Sequence, residues 1–87
     1  MSLEEAISAY IAKMNAATKP MRQGEWAHCC EEKRRISRKG NVVVSIVEQG
    51  EFEWGGPVED PFFGDYESYY EAVFSPAGKL LSSRNLS

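Results

Sequence analysis

Histidine occurs once in this 87-residue chain, as His28, and cysteine twice, as the adjacent pair Cys29 and Cys30. Structural zinc sites commonly draw on cysteine pairs two to four residues apart, and no second cluster is present here to close one. Adjacent cysteines have Cα atoms too close for an ordinary disulfide, so two reduced thiols and a cytoplasmic setting are expected. No apolar run approaches the roughly 20 residues of a membrane span. The opening "MSLEEAISAY" is acidic where a signal peptide would be basic and then apolar, so no membrane or export role is expected. Residues 51–71 hold seven acids and no lysine or arginine. No glycine-rich phosphate loop precedes a helix, because "WGGP" follows a strand pattern and runs into a proline-interrupted stretch.

What remains is an ordinary globular composition. The chain is 43% hydrophobic and 26% charged. That is enough apolar material for a core and too much for a disordered chain. Its length suits one domain over residues 1–87, with modest stability unless a partner adds to it. The net charge of −3 weighs against a dedicated nucleic-acid binder, which is usually basic.

The stretch "SLEEAISAYIAKMNAATKP" reads as a helix. Ser2 and Glu5 form a capping box, Leu3, Ala6, Ile7, Tyr10, Ile11 and Met14 line one face, and Pro20 ends it. "NVVVSIVEQGEFEW" is a strand. Val42, Val44, Ile46, Phe52 and Trp54 share a face that Glu48 and Gly50 interrupt, which suggests a bulge or bend near Gln49–Gly50. "EWAHCCEEKRRIS" fits neither the helical nor the strand period. The "RKG" after it, however, suits a three-residue hairpin loop with Gly40 in the left-handed conformation. "YYEAVF-SPAG-KLLSS" repeats that pattern, with Gly78 in the same role. Its register sets Phe74 opposite Leu80 and Ala72 opposite Ser82, with Val73 and Leu81 on the other face. Between the hairpins, "GGPVEDPFFGD" reads as a long loop.

The expected fold class is therefore α+β: one N-terminal helix packed on a four-stranded antiparallel meander sheet made of two β-hairpins. Cystatin-like and nuclear-transport-factor-like rolls share this broad architecture, an analogy of fold that carries no functional residue. The chain lacks the glutamine-to-glycine hairpin motif of a cystatin inhibitor, since "VEQGE" does not supply it.

Four places invite a chemical reading. On a strand, His28, Cys30 and Glu32 would share a face as a three-ligand metal row, against the plainer reading of small cysteines filling gaps beneath the helix. A nucleophilic Cys30–His28 pair would also need an oxyanion site and an orienting group, and no motif offers either, so no catalytic residue and no cofactor are expected. Lys33, Arg34, Arg35, Arg38 and Lys39 could hold phosphates at a hairpin tip. No aromatic interleaves them as in single-strand binders, and bases at a wet tip also guard an edge strand. "RRIS" matches a short basic kinase pattern at Ser37. Glu51 and Glu53 share a strand face as a possible acid/base or cation pair.

Seven of the ten aromatics fall within residues 52–70. Phe62 and Phe63, at the expected loop tip with Glu59, Asp60 and Asp65, either fold back over the core or meet a protein partner of basic character. The sheet's far face carries the clearest functional hint. Val43, Val47, Tyr69, Val73 and Leu81 point away from the one helix and make an apolar patch larger than monomers usually leave wet. The expected function is a non-catalytic interaction module, a homodimer through that face, with phosphate or nucleic-acid binding at the basic tip 33–39, or a small metal or thiol enzyme around His28, Cys29 and Cys30, as alternatives.

Overall fold

The structure is a computed structural model that describes the backbone of residues 2–18, 26–55 and 62–86, and their side chains except at 53–55, 62 and 63. A helix, α1 (Leu3–Ala17), is followed by strands β1 (Trp26–Ile36), β2 (Val42–Gly55), β3 (Phe62–Phe74) and β4 (Leu80–Asn85). The strands form one antiparallel sheet in sequence order, β1-β2-β3-β4, so the expected α+β meander is the observed fold.

The capping box forms as read. Ser2 Oγ accepts from the Glu5 N–H at 3.2 Å, and Glu5 Oε1 accepts from the Ser2 N–H at 3.4 Å. The helix's apolar stripe then falls on one side of the sheet. Ala6 and Ile7 are buried with Cys29, Val42, Val44, Ile46, Ala72 and Phe74, while Leu3, Tyr10, Ile11, Met14 and Tyr70 pack around them. The Tyr10 and Phe74 rings meet edge to face, 5.8 Å apart. At the helical rise per residue α1 is about 22 Å long. At the strand rise β2 is about 46 Å long, so the helix covers only part of its face.

Both tight turns adopt one geometry. In Ser37–Asn41 and Ser75–Lys79 the glycine N–H donates to the serine carbonyl at 2.9 Å, and Gly40 and Gly78 have φ of 83° and 94°. Each serine Oγ also accepts from the backbone N–H of the turn's last residue, Asn41 at 3.2 Å and Lys79 at 3.0 Å. The left-handed conformation costs a residue with Cβ about 1–2 kcal/mol, which is why glycine stands there.

Four details differ from the sequence expectation. The break in β1's period is a bulge at Glu32, between the pairs Glu31↔Ile46 and Lys33↔Ser45, and it shifts Arg34 onto the helix side. No bulge occurs at Gln49–Gly50, where pairing with β1 and β3 is continuous. There Gly50 instead admits the Tyr66 ring, whose Cε1 would lie 2.6 Å from an added Cβ. The loop read over 55–65 is shorter, because Phe62 and Phe63 belong to β3 and pair with Gly55 and Glu53. Finally, Ala72 lies opposite Ser83 and Val73 opposite Ser82, since an irregularity near the turn takes Leu81 out of register.

Candidate functional site

Alternation along β2 sorts its side chains onto two faces, and pairing extends each face across the sheet. Val42, Val44, Ile46 and Glu48 look toward the helix side, and Val43, Ser45 and Val47 look away from it. On the open side Val43 lies between Arg35 and Val73, Ser45 between Lys33 and Glu71, and Val47 between Cys30 and Tyr69. Val43 and Val47 are buried in this row, Val73 is half-buried, and Tyr69 is 41% exposed. Leu81 is exposed at the β4 irregularity, so it does not sit opposite Val73 as its register implied. Leu86, which the sequence reading passed over, joins the face instead. Its N–H donates to the Tyr69 carbonyl at 2.7 Å, and with Glu32, Lys33, Arg35, Ser45, Tyr69 and Glu71 it lines a depression of about 430 Å³.

The basic run divides. Arg34 grips Glu4 of the helix with both terminal nitrogens, at 2.6 and 3.2 Å, and Glu31 through Nε and Nη2 at 2.6 and 2.7 Å. These bonds hold the Glu31 carboxyl below its ordinary range and raise the guanidinium above its own. Arg34 is thus a strap between α1 and β1 and leaves the anion-binding set. Lys33 and Arg35 stand on the open face, and Arg38 and Lys39 form the turn.

The "HCC" stretch resolves through its register. Cys29 is buried beneath the helix, opposite Glu48, and Cys30 is half-buried on the open face; both thiols are free. His28 and Cys30 share the open face, with Glu32 in the bulge. Among the described residues no three His, Cys, Asp or Glu side chains group to hold a metal ion, so the alternative His28–Cys30–Glu32 row is not assembled. Asp65 is exposed on β3 opposite Glu51, while the Phe62 and Phe63 side chains, with Glu59 and Asp60, lie outside the described residues. Glu51 accepts from the Trp26 indole N–H at 3.0 Å, and the Glu53 side chain is likewise not described.

Glu48 is the polar centre the sequence reading missed. It is 9% exposed and accepts from the Tyr66 hydroxyl at 2.6 Å, the Tyr70 hydroxyl at 3.2 Å and the Cys29 thiol at 3.8 Å. Among the described residues no lysine or arginine pairs with it. Burial, then the Glu48 charge, pushes the Cys29 thiol from its ordinary 9.0 to about 11. The hydrogen bond to Glu48, then burial, pushes Tyr66 from 10.0 to about 12, and burial with the same charge raises Tyr70. A thiol held protonated is a poor nucleophile, so this cluster is built to satisfy a buried acid rather than to attack a substrate. The signal was present: position 48 continues the buried parity of Val42, Val44 and Ile46.

Compared with protein-family models, curated proteins and solved structures, the chain gives no match. Function is therefore read from the site alone.

Proposed function

We propose that this chain is a non-catalytic protein-interaction domain that self-associates through the sheet face opposite the helix. One observation carries the reading: among the described residues the helix is the only element packed on the sheet, and the other face leaves Val73, Tyr69 and Leu86 partly or largely exposed beside the buried Val43 and Val47. The shape agrees with it. The radius of gyration is 15.9 Å. A compact domain of this length would have about 12 Å. The accessible surface is 6106 Å² for a mass of 9.8 kDa. That is roughly 900 Å² above an average monomer of this mass. Standard interfaces bury about 800 Å² per partner, so a second layer on this face would absorb the excess.

Sedimentation velocity tests the reading. The wild-type chain is expected at twice its chain mass, and Val73→Lys at one, with an unchanged helical circular dichroism signal. Burying an ammonium at position 73 costs several kcal/mol that self-association has to meet. A wild-type chain that stays monomeric at high micromolar concentration would overturn the proposal.

A further inference from the structure

Resting on the self-association proposed above, we infer that the second copy lies across the open face on a two-fold axis parallel to β2. This places β1 of each protomer over β3 of the other and Lys33 against Glu71 of the partner subunit. The argument is one of charge placement. From β1 to β4 the rows of the open face read Arg35, Val43, Val73, Ser82, then Lys33, Ser45, Glu71, Arg84, then Cys30, Val47, Tyr69. Bases stand on the β1 side, small and branched residues on β2, and an acid on β3.

A closed dimer applies the same patch to itself, so the row order decides which axis is allowed. An axis over β2 exchanges β1 with β3. Each row then falls on itself reversed: Lys33 meets Glu71, Arg35 meets Val73, and Val43 and Val47 meet their own copies at the centre. An axis between β2 and β3 sets Lys33 on Arg84, base on base. An axis over β3 sets Glu71 on Glu71. An axis running across the strands lays β3 on β3 and brings Asp65, Glu67 and Glu71 against one another. Of these, the first alone pairs opposite charges, and like charges juxtaposed across an interface are costly.

The neighbouring charges are compatible with it. Arg84 approaches Glu71 from the β4 side at 3.2 Å. A carboxylate has lone pairs enough to accept from a second cation. Glu32, in the bulge, lines the same depression as Lys33. The depression thereby offers the incoming lysine Glu71 together with Glu32.

A charge exchange tests the arrangement by sedimentation equilibrium at low salt. Lys33→Glu alone sets acid on acid at both symmetry-related contacts, and Glu71→Lys alone sets base on base. Each is expected to weaken self-association by about tenfold or more. An equimolar mixture of the two variants restores one pair of opposite charges at each contact and is expected to associate more tightly than either variant alone. If the wild type dimerises but the mixture binds no better than either variant, the axis is wrong while self-association stands. If the wild type is a monomer, the underlying reading fails and the axis with it.

Discussion

Among single residues, the protons around Glu48 matter most. A carboxylate nine-tenths buried, with no lysine or arginine beside it among the described residues, depends on the Tyr66 and Tyr70 hydroxyls and the Cys29 thiol staying protonated. Tyr66 has its folded pKa raised above the unfolded value, so its contribution is whole below pH 10 and is lost as pH rises toward about 12. Cys29 acts in the same sense between 9.0 and about 11. Urea unfolding across pH 8 to 12 is expected to show stability falling from about pH 9 upward, and Tyr66→Phe to flatten the upper part of that fall. The same variant is expected to cost about 1–3 kcal/mol at pH 7, the range for a hydrogen bond to a charged buried group. A thiol assay at pH 8 on the monomeric Val73→Lys variant is expected to count one reactive cysteine in the folded chain, Cys30, and two in denaturant. A fast-reacting Cys30→Ser variant would contradict it. The position of Glu48 was legible from parity alone, but its partners were not. Tyr66 and Tyr70 lie eighteen and twenty-two residues away in the chain, and only the β2–β3 register brings them to it.

Elements differ in how openly they announce themselves. The helix and both turns could be read because their signals are local: a capping box, a 3–4 spacing, and a glycine at the fourth place of each turn. Strand β1 could be read only through the turn that follows it, because one extra residue at Glu32 reverses the alternation, and a period broken in the middle matches no template. The aromatic segment misled for the opposite reason. Proline and glycine around Phe62 and Phe63 look like a loop, yet strand pairing reaches Gly55↔Phe62. The helix is tied to β1 by Asn15, whose side-chain Oδ1 accepts from the Cys29 N–H at 2.6 Å while Nδ2 donates to the Cys29 carbonyl at 3.0 Å. An amide placed so imitates the next strand of a sheet and occupies both outward groups of an edge residue. Asn15→Ala leaves those groups without that partner and is expected to cost about 2 kcal/mol, measured by urea unfolding. Faster amide hydrogen exchange at Cys29 is the local sign of the same loss, and unchanged stability and exchange would show the clasp to be idle.

Taken entire, the protein is long and thin, 53 × 23 × 16 Å, and no composition statistic announces that. Fold class followed from the order of patterned segments, while the extended shape follows from strands of 13 and 14 residues that outrun a 15-residue helix. Val73 belongs here because its proposed role is visible only when two copies are considered. If folding and association are coupled, the thermal midpoint of the wild type rises with protein concentration, and that of Val73→Lys does not. The meander also constrains the order in which the chain can be assembled. Each strand's partner is the next strand in sequence. The early closures are therefore short and entropically cheap, and the two serine–glycine turns each set the register of one hairpin. The helix's contact with Phe74 encloses most of the chain. Tyr10 therefore has a surface to meet only after β1, β2 and β3 have zipped together. The helix precedes in the chain every strand it packs on, and its contact with Phe74 closes only once β3 has joined β2.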